Sequence, residues 1–100
     1  METYLINSKI RAKLRSLAHH IKPCVFIGKS GLTDGVVQSI KEYLDKDELI
    51  KVKFNSYKKD KNDLIEKSLK TLSAYIIGSI GHTIIIYKPS EDVENRKYKF

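Results

Sequence analysis

One hundred residues, 41% apolar and 31% charged with only two prolines, suit a single folded domain and exclude both a low-complexity chain and a large multi-part active site. A formal charge of +7 predicts attraction to polyanions, nucleic acid or an anionic membrane. The lone cysteine, Cys24, excludes an internal disulfide, and no apolar run approaches the roughly eighteen residues of a membrane span. Met1 to Asn7 lacks the basic-then-apolar order of a secretory signal, so a cytoplasmic protein with no membrane partner is expected.

From Ser8 to Ile21 the residues Ile10, Leu14, Leu17, Ala18 and Ile21 recur at helical spacing, and Asn7 stands where an N-cap belongs. Arg11, Arg15 and Lys22 line one border of that stripe; Lys9, Lys13 and His20 line the other. Pro23 ends the helix. Cys24 to Ile27 reads as a short strand, followed by Gly28-Lys29-Ser30-Gly31 and then Thr33, the expected cap of a second helix whose Val36, Val37, Ile40, Tyr43 and Leu44 share one face and which stops near Asp45 to Asp47. Ile50, Val52 and Phe54 alternate with Lys51 and Lys53, the period-two pattern of a strand with one wet face. Asn55 to Asp60 is turn-like. A third helix starts near Asp60, buries Leu64, Ile65, Leu69 and Leu72, and ends by Ser73. Tyr75 to Ile80 and Thr83 to Tyr87 flank Gly81-His82, a pair suited to a type II′ hairpin. The charged segment 90–100 has no periodicity and is expected to be a mobile tail on a domain spanning 1–89.

The predicted class is therefore α/β: one domain in the order α-β-α-β-α-β-β, a mixed four-stranded sheet packed with three helices. Parallel crossovers join the first three strands, and the final hairpin supplies the antiparallel pair.

The chemistry is concentrated early in the chain. Residues 1–31 hold six Lys/Arg against one acid, a balance of +5, while the remaining sixty-nine contribute +2. Gly28-Lys29-Ser30 looks like the end of a P-loop, yet the glycine needed five positions earlier is Pro23, and Cys24 to Ile27 is strand, so no loop can wrap a triphosphate. What remains is Gly-x-x-Gly, which lets backbone N–H groups approach a phosphate beside a helix start. An ordinary strand-to-helix turn has the same pattern; the neighbouring basic residues weigh towards a clamp and leave both readings open. His19 and His20 are adjacent and about 100° apart on a helix, so they cannot share a metal, and no metal or cofactor site is expected. Cys24 beside His19 or His20 is the one conceivable nucleophilic pair; burial in a strand would raise its pKa, and no catalytic residue is expected.

Leu17-Ala18-His19-His20-Ile21-Lys22-Pro23, Ile27 through Thr33, Glu48 through Lys53, and Ile80-Gly81-His82-Thr83 leading to Tyr87-Lys88-Pro89 together resemble the YhbY-like CRM family, whose name stands for chloroplast RNA splicing and ribosome maturation. The resemblance implies a fold similar to the C-terminal domain of translation initiation factor three. It also implies RNA binding, association with ribosomal RNA in precursors of the large ribosomal subunit, and a bacterial stand-alone form instead of a multi-domain intron-splicing factor. On matching positions it makes Gly28, Lys29, Ser30 and Gly31 a backbone clamp with the preceding helix as basic partner. Arg11, Arg15, His20 and Lys22 are then expected to meet neighbouring phosphates, Thr33 to fix the helix start, and Lys51 and Lys53 to form a second track. A monomer is expected. A general RNA or DNA chaperone, and less so an enzyme acting through Cys24, are the alternatives.

Overall fold

The structure, a computed structural model, describes residues 6–70 and 72–98. Its elements are α1 (Ser8–Ala18), β1 (Val25–Ile27), α2 (Asp34–Asp47), β2 (Leu49–Phe54), α3 (Lys61–Leu69), β3 (Tyr75–Ile80), β4 (Thr83–Tyr87) and a 3-10 turn at Val93–Asn95. Three helices and one mixed four-stranded sheet result, as the alternating periods of the sequence require.

The sheet order is β1-β2-β4-β3. β1 lies parallel to β2, and β4 is antiparallel to both β2 and β3. β3 therefore runs parallel to β2, but β4 sits between them. The crossover through α3 skips one position, and the hairpin partner fills it. Gly81 takes φ 58° at the hairpin turn, the left-handed value a primed turn needs.

Alternation along β2 decides which helix covers which face. Ile50, Val52 and Phe54 join Val25, Ile27, Ile84 and Ile86 in a core under α2 and α3, closed by Ile40, Leu44, Ile65 and Leu69. Leu49, Ile77, Ile85 and Tyr87 form a second core on the opposite face, closed by Leu14 and Ala18 of α1. The result is a three-layer sandwich with one helix on one side and two on the other.

Two boundaries differ from the periodicity. α1 ends at Ala18, and the N–H groups of His20 and Ile21 donate to Leu17 O and Ala18 O in a tightened turn. Pro23 acts several residues upstream of itself because the chain must already be leaving the helix to satisfy it. Ile21 still packs on the α1 core without being helical.

The second concerns the segment expected to be a mobile tail: its residues 90–98 make contacts with the domain, and 99 and 100 lie outside the described residues. The Lys97 N–H donates to Glu48 Oε2 at 3.1 Å, Arg96 Nε donates to Ser90 O at 2.8 Å, and Tyr98 meets Tyr87 edge-on at 6.3 Å. The anchors are one main-chain amide, the Arg96 and Lys97 side chains and one ring, at spacings that leave no periodic trace among alternating charges.

Candidate nucleic-acid interface

The four-residue loop leaves β1 at the end of the sheet where β2 also ends and β4 begins. The Gly31 N–H donates to Gly28 O at 3.0 Å, closing a turn that exposes Lys29 and Ser30 at its tip. Gly31 has φ 71°, which a Cβ would resist, and Tyr57 Cε2 lies 3.5 Å from where that Cβ would stand. Gly28 differs: its φ is not positive, and a Cβ there would meet nothing within 4 Å. Folding thus explains the second glycine and leaves the first one unexplained.

Tyr57 holds the turn from below. Its hydroxyl donates to Lys29 O at 2.6 Å while its ring packs under Gly31. Tyr57 itself adopts φ 57°, a left-handed conformation costing roughly 1 kcal/mol for a non-glycine residue, so the contacts of its ring and hydroxyl must offset that cost. The N–H groups of Asn55 and Ser56 both donate to Ile27 O, tying the same segment to the end of β1. The loop is thereby braced by a stretch with no recognisable motif.

With Gly31 engaged internally, the Lys29 and Ser30 N–H groups have no protein partner among the described residues. Two successive amides without a protein partner, on exposed residues at a braced tip, are available to an anion. Thr33 caps α2 as expected, its Oγ1 accepting from the Val36 N–H at 3.2 Å. Asp34 occupies the first turn of that helix, so the helix start already faces a carboxylate. Anion binding here must come chiefly from the loop amides and lysines.

The remaining basic candidates are not gathered in one flank. α1 lies over β2 and β3, across the sheet from the edge strand that carries the loop. Arg11 Nη1 donates to Ile76 O at 2.6 Å and Ile77 O at 2.9 Å, at a bulge in β3. Its guanidinium is a structural clamp first. Arg15 lies on Gly78, its Nε 2.7 Å from where a Cβ would sit, on the same face as Lys51. His20 and Lys22 precede β1 and so sit at the opposite end of the strand from the loop; Lys22 borders a cavity of about 210 Å³ with Cys24, Lys97 and Tyr98. Lys53 is exposed beside β1, paired in register with Phe26. Gly28, Lys29, Ser30, Gly31, Thr33 and Lys53 therefore come together, Lys51 lies two residues back along β2 from Lys53, and Arg11, Arg15, His20 and Lys22 do not join them.

Burial pushes the Cys24 thiol up from its ordinary value, with the Asp47 carboxylate adding to the effect. Its Sγ lies 3.8 Å from Lys51 O. A half-buried thiol held protonated is a poor nucleophile. No cluster of His, Cys, Asp or Glu among the described residues is arranged to hold a metal ion. No described helix is long and apolar enough to cross a membrane.

The profile of the CRS1/YhbY (CRM) domain matches residues 6–88, nearly the whole chain. The chain belongs to this family. It is 37% identical over 89 residues to the "Probable RNA-binding protein YqeI" of Bacillus subtilis, covering 88% of this chain and 93% of that one. With an "RNA-binding protein" of Haemophilus influenzae it shares 36% identity over 90 residues, covering 89% and 91%. The solution structure of the hypothetical protein SAV1595 from Staphylococcus aureus superposes with a TM-score of 0.75 at 32% identity, covering 95% of this CRM chain and all of that one. The architecture is thus that of a solved relative.

Proposed function

We propose that this CRM protein binds RNA through its backbone and serves, as a monomer in the cytoplasm, in assembly of the large ribosomal subunit. The observation that carries the reading is the braced loop tip, where the Lys29 and Ser30 amides are exposed without a protein partner beside two lysine side chains, Lys29 and Lys53. Amides and lysines contact phosphate without reading base identity, so specificity comes from RNA shape. The RNA-binding relatives support the choice of polyanion, and the resemblance to stand-alone YhbY-like proteins supports ribosomal RNA as the target. No covalent step is part of this reading, since the thiol of Cys24 is held in its unreactive form.

Gly28 supplies the test, because folding does not require a glycine there. Gly28→Asp is expected to unfold in urea at the wild-type midpoint yet bind ribosomal RNA at least ~10-fold more weakly, as a carboxylate is placed against phosphate. Equal affinity for RNA would remove the loop from the interface. In sucrose gradients of cell extract the wild-type protein is expected with precursors of the large subunit. Sedimentation free of ribosomal particles, with crosslinks to DNA or messenger RNA, would favour a general chaperone instead.

A further inference from the structure

Beside the loop lies a part of the sheet that no helix among the described residues covers. On the α1 face, the register places Phe26 of β1, Lys53 of β2, Thr83 of β4 and Ile80 of β3 in one row across the sheet. α1 closes the rows below it, over Leu49, Ile77, Ile85 and Tyr87, and stops short. Phe26 is 55% exposed and Ile80 46%, although both belong to apolar runs. Val25 and Ile27, on either side of Phe26, are buried on the other face. A three-residue strand that must bury its outer members has to turn its middle ring outward, but nothing in folding asks for an aromatic ring there.

We infer that Phe26 is a stacking platform for one unpaired base of the RNA strand whose phosphates rest on the Gly28–Gly31 loop. The inference rests on the backbone-clamp reading and adds the conformation of the ligand: single-stranded at this point. Three observations favour a base over another occupant. The Lys29 and Ser30 amides follow Phe26 by three and four residues at the end of the same strand, so a nucleotide whose phosphate rests on them has its base near the ring. The ring's register partner is an exposed lysine, Lys53, a residue type depleted in protein–protein interfaces, so a polyanion matches the charge around the ring. A single residue, Ile27, separates Phe26 from the loop, so the ring and the loop lie at the same end of β1. Base stacking on an aromatic side chain tolerates any base, consistent with recognition by shape.

The test uses the full-length protein with two probes of equal length: a fluorescein-labelled single-stranded RNA of mixed sequence and a blunt duplex. Phe26→Leu keeps the apolar bulk and removes the ring; Phe26→Tyr keeps the ring. Phe26→Leu is expected to weaken single-strand binding roughly 10-fold, with duplex binding and the log–log salt slope unchanged, because a neutral contact releases no counterions. Phe26→Tyr is expected to restore it, and 2-aminopurine in the single strand to lose fluorescence with wild type but not with Phe26→Leu. Wild-type affinity in Phe26→Leu, while Lys29→Glu still loses binding, would overturn the stacking and leave the backbone clamp standing. A wild-type protein that binds neither probe would take both readings down. Loss of a dimer on Phe26→Leu, seen by sedimentation with RNA affinity unaltered, would assign the face to a second copy of the chain and overturn the proposal.

Discussion

The two ends of the sheet handle charge in opposite ways. At the end where the tail folds back, Lys41 pairs with Asp45 at 3.5 Å, Lys88 with Asp45 at 3.9 Å and Lys97 with Asp47 at 3.7 Å. Glu48 is 4% exposed there, at φ 67°, and takes the Lys97 N–H on one oxygen while the other is buried without a partner. At the loop end, Lys29 and Lys53 are exposed, with no ion pair to either among the described residues. Lys41, Lys88 and Lys97 are matched at one end, where Lys22 has no ion pair among the described residues, whereas Lys29 and Lys53 at the other remain available to a ligand. The overall +7 is therefore a poor guide to where a polyanion would bind; the pairing of individual residues is a better one.

The sharpest way to break this contrast is to reverse charge at each end in turn. Lys29→Glu combined with Lys53→Glu is expected to lower RNA affinity about 100-fold near physiological salt and to reduce the log–log salt slope by about 0.7 to 0.9 for each phosphate no longer neutralised, read by fluorescence anisotropy. Lys41→Glu with Lys97→Glu should change affinity less than about 3-fold, since those ammonium groups are already matched by Asp45 and Asp47. Equal losses at both ends would mean that net charge alone governs binding.

Arg11 separates folding from binding. Arg11→Met keeps the aliphatic stem and leaves the Ile76 and Ile77 carbonyls without their charged donor, so a loss of about 2 kcal/mol in urea unfolding is expected. RNA affinity of the folded fraction should change less than about 3-fold. A large affinity loss at unchanged stability would return Arg11 to the interface.

Tyr57→Phe sharpens the loop end itself. The ring stays under Gly31 while the hydrogen bond to Lys29 O is removed, which should cost about 1 kcal/mol of stability and about 3-fold in RNA affinity as the tip loosens. Unchanged affinity would show that the tip keeps its shape without the hydroxyl.

How much of the molecule is legible in its sequence depends on the range of the interaction. The hairpin strands and the caps at Asn7 and Thr33 follow from neighbours a few residues apart, and the structure places them where the sequence does. The position of β4 between β2 and β3 does not, because periodicity reveals which face a residue occupies and not which strand lies beside it. Phe26 is hidden inside the apolar run Cys24 to Ile27, which reads as uniformly buried; a three-residue strand with a helix pair on one side only has one outward position. Tyr57 is hidden because its partners are 28 and 26 residues away, in a polar stretch with no pattern. The basic border of α1 is visible, but Arg11 and Arg15 point at β3, and only the lateral order of strands reveals that this is the far edge from the loop.

The smallest expected effect concerns pH. Burial raises the Tyr98 hydroxyl, with Asp47 and Glu48 adding to it, as burial raises the Cys24 thiol. Both groups keep their neutral form longer in the folded state, so their contribution is fully present below the ordinary thiol and phenol range, about 8.5 to 10, and is lost as pH climbs through the raised folded values. Urea midpoints should fall modestly above about pH 9, and iodoacetamide should modify Cys24 more slowly in the folded protein than in urea. Equal alkylation rates would mean that the thiol is not shielded.

The grip of Arg11 on β3 also bears on how the molecule behaves in company. β3 is a rim strand, and rim strands tend to recruit a foreign strand through their unclaimed carbonyls. Here a guanidinium occupies two consecutive carbonyls at a bulge that already bends the strand, while the other rim, β1, is only three residues long. Neither margin offers a straight ladder for another chain to extend, so crowding need not drive these molecules into one another.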